Sequence, residues 1–166
     1  QDREAVIGRA RNAGVRAALC VLAAEDAFEA GQARRVAELW PEAGFSIGVH
    51  PHQAHEFAGR LGGLADLVRG LLDLTPRPSA VGEVGLDYHY DLSPRDVQRA
   101  VFSAQIGLAR DLGFPLVVHT READSDTLGL LRSEGGGAVR GVFHCFTGSQ
   151  ALADAALDLG FHISFS

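Results

Sequence analysis

The sequence has 166 residues, of which 46% are hydrophobic, and this is enough for one sizeable core but not for two. Its formal net charge of −6 argues against a broad basic surface for nucleic acid, and no stretch approaches the roughly 18 consecutive apolar residues of a membrane helix. Because its two cysteines are too few for a disulfide framework, we expect a soluble, cytoplasmic single domain over residues 1–166, with no obligate protein partner.

Short apolar runs alternate along the chain with longer amphipathic runs. The chain opens on an amphipathic run, residues 2–13, which predicts a helix. Six later runs predict strands over residues 15–23, 45–49, 80–84, 115–119, 139–144 and 161–165. This alternation is typical of βα units around a parallel sheet, and it predicts an α/β fold.

Two of the intervening helices have recognisable ends. Ser93, Pro94 and Asp96 resemble a capping box with proline at the first helical position. The helix that follows has a stripe at helical spacing, which consists of Val97, Val101, Gln105, Leu108 and Leu112 and stops at Gly113. Ser149 is expected to cap a later helix that Gly160 closes.

The predicted strands recur at intervals of about 25 to 35 residues, which fits a (β/α)8 TIM barrel of metal-dependent hydrolase type. A doubly wound open sheet would instead have a glycine-rich phosphate loop after its first strand, and residues 22–28 do not form one. A complete barrel has eight strands, whereas only six are predicted here. We therefore expect a partial barrel that lacks two adjacent strands and exposes its sheet edges.

Imidazoles and carboxylates lie at or near the ends of four predicted strands, and the strongest candidates are His50, His52, Glu83, His119 and His144. The C-terminal ends of barrel strands meet at one face, so these side chains should converge. Glu83 lies in an apolar strand, where a carboxylate needs a cation or a hydrogen-bond partner. We favour a divalent metal held by Glu83, His119 and His144, and the alternative is a buried ion pair of Glu83 with an arginine such as Arg121.

Ligands of this mixed kind suit zinc, manganese or magnesium better than copper or iron–sulfur chemistry. Cys145 could serve as a thiolate ligand or nucleophile. Because neighbouring residues of a strand point to opposite faces, we expect Cys145 to point away from His144 and to have a packing role.

Several residues near these strand ends have a functional and a structural interpretation. His50 and His52 flank the rigid Pro51, and they could bind substrate or phosphate, orient metal ligands, or lie in a solvent-facing loop. Asp87 and Tyr88 could likewise orient ligands or form a capped turn.

Two further candidates would contact substrate. Arg121 could bind a phosphate oxygen or pair with Glu122. Phe146 could stack on a base or belong to the core.

Five segments together resemble the TatD-type metal-dependent deoxyribonucleases, a branch of the amidohydrolase-like TIM barrels. They are GVHPH (48–52), GEVGLDY (82–88), PLVVHTREA (115–123), GVFHCFTGS (141–149) and GFHISFS (160–166). The segments occur in the order of the family and at its approximate spacing, so the resemblance covers essentially the whole chain.

The resemblance implies a hydrolase with two divalent metal ions that cleaves DNA phosphodiester bonds, often as a 3′–5′ exonuclease. Glu83 would then bridge the two ions, and His119 and His144 would ligate one of them. The family's H-x-H pair and its late aspartate are absent from these 166 residues. We therefore expect this chain alone to be inactive or weakly active.

Two other functions remain open from the sequence. The same metal barrel could hydrolyse an ester, a lactone or an aminoacyl-RNA, since a fold does not determine a substrate. RNA could also replace DNA as the nucleic acid. Alternatively, the chain could be a degenerate, non-catalytic barrel that binds a metal or a partner.

Overall fold

The computed structural model describes residues 2–166, and its six strands form one parallel sheet in sequential order. The strands are β1 (Ala18–Ala23), β2 (Ala43–Gly48), β3 (Pro78–Asp87), β4 (Leu116–Arg121), β5 (Gly141–Phe143) and β6 (His162–Ile163). The helices are α1 (Arg3–Asn12), α2 (Ala27–Leu39), α3 (Leu64–Leu74), α4 (Arg95–Leu112), α5 (Asp124–Gly135) and α6 (Gln150–Asp158). Two 3₁₀ turns, Pro51–Phe57 and Leu61–Gly63, precede α3.

The sheet is an open arc with β1 and β6 at its edges, and helices connect successive strands. This arrangement confirms the predicted α/β fold and the six strands of a TIM barrel. Within residues 2–166, no helix is both long enough and apolar enough to cross a lipid bilayer.

The strand bounds differ from the prediction at several ends. Strand β1 begins at Ala18 because residues 15–17 are exposed in the turn that follows α1. Strand β3 continues past the predicted end at residue 84, because its ladder with β4 runs on as far as Asp87. Strands β5 and β6 are shorter than predicted, with three and two residues.

The core lies between the sheet and its helices. Phe45 and Ile47 of β2 and Phe102 and Ile106 of α4 are almost completely buried. Each such side chain contributes about 1.5–3 kcal/mol relative to leaving it exposed. Helix α4 is therefore firmly packed against the sheet.

The start of α4 differs from the predicted capping box. Pro94, not Ser93, occupies the cap position, and the Ser93 side chain makes no capping hydrogen bond. Its hydroxyl instead bonds to residues of the 3₁₀ turn after β2. The other predicted ends are confirmed, since α4 stops at a left-handed Gly113 and Ser149 accepts a hydrogen bond from the backbone N–H of Leu152.

Gly85 allows β3 and β4 to approach closely beside the site. Its φ of 142° lies in a region that side chains disfavour. A Cβ atom at this position would collide with the carbonyl oxygen of His119. The absence of a side chain at Gly85 thus sets the distance between the two strands that carry Glu83 and His119.

Candidate metal centre

The predicted site residues converge at the C-terminal end of the sheet. His50 follows the end of β2, Glu83 and Asp87 belong to β3, and His119 belongs to β4. His144 comes directly after β5. Parallel strands direct their ends to one side, so these side chains all lie at one end of the sheet, and β2, β3 and β4 supply those that contact one another.

Three imidazoles form the centre of this cluster. The nitrogens that His50, His52 and His119 can offer to a metal all lie within 4.8 Å of one another. The ring centroid of His50 is 4.4 Å from that of His52 and 4.6 Å from that of His119. His50 and His52 are therefore partly buried members of the cluster, and the interpretation as a solvent-facing loop is wrong.

The carboxylate of Asp87 holds two of these rings. The Nε2–H groups of His52 and His119 donate to Asp87 Oδ2 at 3.0 and 2.9 Å. The Asp87 side chain is completely buried. A carboxylate behind a histidine fixes the orientation of the ring and leaves the other nitrogen, Nδ1, available to a metal.

Glu83 faces His119 from the neighbouring strand. Its Oε1 lies 3.3 Å from His119 Nδ1, and both side chains are about one-fifth exposed. When Nε2 donates its hydrogen to Asp87, the lone pairs of Nδ1 and Oε1 face each other. A cation between them, either a proton or a metal ion, removes this repulsion, so the two donor atoms fit a shared divalent ion. The alternative in which Glu83 forms an ion pair with Arg121 is wrong, because the partner of Glu83 is His119.

The charges of the cluster follow from these contacts. Burial lowers the pKa of His50 to about 4, and the charge of His119 adds to the effect, so His50 is neutral at neutral pH. Burial acts to raise the pKa of Asp87, but hydrogen bonds from the Tyr90 backbone and from His52 and His119 outweigh it and lower the pKa to about 2. Neutral imidazoles and ionised carboxylates are the forms that bind metal ions.

Glu83 and His119 shift in opposite directions. Burial acts to raise the pKa of Glu83, but the hydrogen bond with His119 and the charges of His50 and His119 lower it. Burial acts to lower the pKa of His119, but hydrogen bonds with Glu83 and Asp87 raise it. The imidazole of His119 is therefore held in its positively charged form between the carboxylates of Glu83 and Asp87. A bound metal ion would take the place of this positive charge.

Two buried glutamines of α4 support the cluster from behind. Gln105 accepts a hydrogen bond from the N–H of Val49 at 2.7 Å and donates to the carbonyl of the same residue at 3.1 Å. Gln98 makes the same pair of bonds to Asp87, at 2.8 and 3.1 Å. Seven residues span about two helical turns, so both glutamines lie on the face toward the sheet. They fix the backbone at the ends of β2 and β3.

Ser93 supports His52 in a similar way. Its hydroxyl donates to the carbonyl oxygen of His52 at 2.9 Å and accepts from the backbone N–H of His55 at 3.0 Å. Ser93 is 1% exposed. The residue that the sequence suggested as a helix cap thus stabilises the turn that carries His52.

His144 directly follows β5, the strand next to the one that carries His119, and it is not one of the three histidines whose nitrogens lie within 4.8 Å of one another. Its Nε2 is 3.3 Å from the Sγ of Cys145. Cys145 is exposed, with a φ of 47°, so the predicted packing role is wrong. The strand ends at Phe143, and the alternation on which that prediction relied does not extend to Cys145.

A second set of side chains lies at the ends of β3 and β4, and we call His89, Tyr90, Arg121 and Glu122 the rim group. Arg121 lies over the Tyr90 ring, with its Cζ 4.9 Å from the centroid. Glu122 binds His89 at 2.7 Å. The alternative in which Arg121 pairs with Glu122 is therefore wrong.

The ring of Phe146 packs at right angles to Phe143 and Phe165, at centroid distances of 6.4 and 6.2 Å. It lies against the core and is partly exposed. A substrate contact by Phe146 stays a prediction, as does the phosphate contact by Arg121.

A cleft of about 340 Å³ opens beside the cluster. Its wall includes His50, His52 and Glu83, together with Glu25 and Glu29 from the loop and helix after β1. The cleft therefore opens His50, His52 and Glu83 of the cluster to solvent.

Of the two roles that the sequence left open for Asp87, the hydrogen bonds to His52 and His119 support the orienting one, whereas the roles of both glutamines were not predicted. One signal was available, because Gln105 interrupts an otherwise apolar stripe of α4. A polar residue on a core-facing stripe must bond to something buried. Gln98 lies seven residues before Gln105 and therefore on the same face of the helix, but the sequence pattern does not show which buried groups it bonds to.

Comparison with known proteins gives a consistent result. The sequence profile described as TatD related DNase matches residues 1–166. The "3'-5' ssDNA/RNA exonuclease TatD" of Pantoea vagans (strain C9-1) is 36% identical over an alignment of 168 positions, which covers 99% of this chain and 62% of the relative. The "Uncharacterized metal-dependent hydrolase YabD" of Bacillus subtilis (strain 168) is 46% identical over 86 residues, which are 52% of this chain and 34% of the relative.

Solved structures agree with the sequence comparison. The crystal structure of a hydrolase TatD family protein from Entamoeba histolytica superposes with a TM-score of 0.79 at 25% identity, over 99% of this chain and 56% of that one. The chain thus spans less than two thirds of the length of the relatives it matches. The profile match over all 166 residues, together with the identity to the Pantoea vagans relative, shows that this chain belongs to the TatD related DNase family.

Proposed function

We propose that this chain forms part of a metal-dependent hydrolase that cleaves phosphodiester bonds of DNA or RNA from the 3′ end, with two divalent ions in its site. The observation that carries the proposal is the cluster of imidazoles and carboxylates at the ends of β2, β3 and β4, in a chain of the TatD related DNase family. We place its action in the cytoplasm, on the basis of its cysteine content.

Glu83, His119 and His144 are the proposed metal ligands. Glu83 Oε1 and His119 Nδ1 already face each other at 3.3 Å. A bound divalent ion would polarise the phosphate and make a water molecule more acidic. Magnesium, manganese and zinc all accept this donor set.

The other residues of the cluster are proposed to orient the metal ligands or to contact the substrate. Asp87 keeps the hydrogen of His119 on Nε2, so that Nδ1 retains its lone pair. His50 and His52 line the cleft, and the neutral His50 ring can accept a hydrogen bond or bind a metal. Arg121 is the proposed donor to a phosphate oxygen, and Phe146 borders the substrate.

Calorimetric titration with Mn²⁺ and an assay of nucleotide release test the proposal on the full natural protein that contains this chain. Glu83→Gln and His119→Ala are each expected to weaken Mn²⁺ binding at least about tenfold and to abolish release of nucleotides from single-stranded DNA. His162→Ala, which changes an exposed histidine of β6, is the matched control and should retain both.

Three results would contradict the proposal in different ways. Unchanged Mn²⁺ affinity in His119→Ala would remove His119 from the metal site. Hydrolysis of a carboxylic ester or an aminoacyl-RNA with no release of nucleotides would favour the alternative substrate class. Metal binding without hydrolysis of any of these substrates would favour a non-catalytic barrel.

A further inference from the structure

Tyr90 has the geometry of a ligand contact. Its side chain is 55% exposed, although its ring lies next to the buried cluster. The ring centroid is 5.6 Å from that of His52, with the two planes nearly perpendicular. An aromatic ring that is held against a metal site and yet open to solvent offers a flat apolar surface to whatever binds there.

The position of Tyr90 is fixed by the same carboxylate that holds the cluster. Its backbone N–H donates to Asp87 Oδ1 at 2.8 Å, and the N–H of His89 donates to the same oxygen at 3.1 Å. The bond between His89 and Glu122 attaches this loop to the loop after β4. A ring that is already held in place loses little conformational entropy when a ligand stacks on it.

Arg121 supplies a positive charge beside this ring. Within residues 2–166, its guanidinium forms no ion pair shorter than 4.0 Å, and it lies over Tyr90 instead. The arginines on the other side of the loop differ, because Arg95 is paired with Asp91 and Arg99 with Asp126. The charge of Arg121 is therefore available to an anion that approaches the cluster.

An aromatic ring that stays 55% exposed beside His52 and under Arg121, together with the available guanidinium, matches one nucleotide unit, which carries a flat base and a phosphate. We propose that Tyr90 is a stacking surface for an unpaired nucleobase of the substrate strand, beside a phosphate contact at Arg121. This inference rests on the proposed nucleolytic function and adds a residue to it. A base in a duplex has both faces covered by its neighbours, so the surface selects single strands.

The test compares Tyr90→Leu, Tyr90→Phe and wild-type full natural protein, with Leu74→Ala as the control. Leu74 is 77% exposed at the end of α3, just before β3 begins. It therefore lies near the N-terminal ends of the strands, away from the site. Fluorescence anisotropy in the presence of Ca²⁺ measures binding of single-stranded oligothymidylate and of an oligonucleotide of equal length with abasic 3′ units. The KM and kcat for nucleotide release are then measured in Mn²⁺.

The stacking surface predicts a pattern that depends on the base. Tyr90→Leu should bind oligothymidylate at least about fivefold more weakly than wild type and raise its KM in proportion, with kcat within about twofold. Tyr90→Phe and Leu74→Ala should match wild type, and all variants should bind the abasic strand equally. Equal affinity of the wild type for the two strands, or equal losses of Tyr90→Leu on both, would overturn the inference.

The same measurements separate this inference from the proposed function. A wild-type protein that prefers the strand with bases but releases no nucleotide would contradict the nucleolytic activity and leave the stacking surface standing. A Tyr90→Leu variant that binds and cleaves oligothymidylate like wild type would contradict the stacking surface alone.

Discussion

Gln98 offers the sharpest test of how the site is held. It makes three hydrogen bonds in the core, accepting from the N–H of Asp87 at 2.8 Å and donating to the carbonyls of Asp87 at 3.1 Å and of Ser93 at 2.8 Å. The side chain is 1% exposed. Water therefore cannot replace these bonds when the amide group is removed.

We expect Gln98→Leu to lower the free energy of unfolding by about 4 to 6 kcal/mol. Each of the three lost bonds contributes about 1 kcal/mol, and the orphaned N–H of Asp87 adds about 1 to 3 kcal/mol as an unsatisfied buried group. For a chain of this length, the change corresponds to a fall in Tm of about 8 to 24 °C. Urea unfolding and differential scanning calorimetry measure the two quantities.

The matched control is Gln150→Leu on α6. Gln150 is exposed and its amide bonds only to Asp154, so its substitution should change stability by less than about 0.5 kcal/mol. A loss below about 1 kcal/mol for Gln98→Leu, with an unchanged dependence on urea, would refute the reasoning. It would mean that Asp87 and its backbone do not need the helix to hold them.

Two further expectations concern pH and strand spacing. Because the fold lowers the pKa of Asp87 from 3.8 to about 2, its stabilisation is present above about pH 4 and is lost as the pH falls toward 2. The difference in unfolding free energy between wild type and Asp87→Asn should therefore shrink as the pH falls from about 5 to about 2 in urea titrations, and a constant difference would count against the bonded carboxylate. Gly85→Ala should cost about 3 kcal/mol or more or prevent folding, since its Cβ meets the His119 carbonyl, whereas Gly129→Ala at an open helix position should stabilise by about 0.5–1 kcal/mol. A stable Gly85→Ala protein in thermal unfolding would show that the two strands can separate.

Much of the fold could be predicted, because the spacing of apolar residues that marks each strand and helix is a local feature of the sequence. Apolar runs and helical stripes recur along the chain, and parallel strands must direct their ends to one side. This is why the convergence of Glu83, His119 and the histidines after β2 was foreseeable. The bonds of Asp87, by contrast, depend on which nitrogens of two distant histidines meet one carboxylate oxygen, and no local pattern contains that information.

The errors at Ser93 and Cys145 have related causes. A serine before proline matches a helix cap, but the Ser93 hydroxyl bonds instead to the backbone of His52 and His55 in the turn after β2. The prediction for Cys145 assumed that the strand continues, whereas β5 ends two residues earlier. Both are cases in which tertiary contacts or a strand end override a local rule.

The spacing of the two clamping glutamines limits how α4 can change in length. Gln98 and Gln105 reach the ends of two adjacent strands only while they share one face of the helix. One inserted residue between them would rotate Gln105 by about 100° and turn its amide away from Val49. Insertions and deletions in related chains should therefore avoid residues 99–104 and fall instead near the C-terminal end of the helix, beyond Gln105.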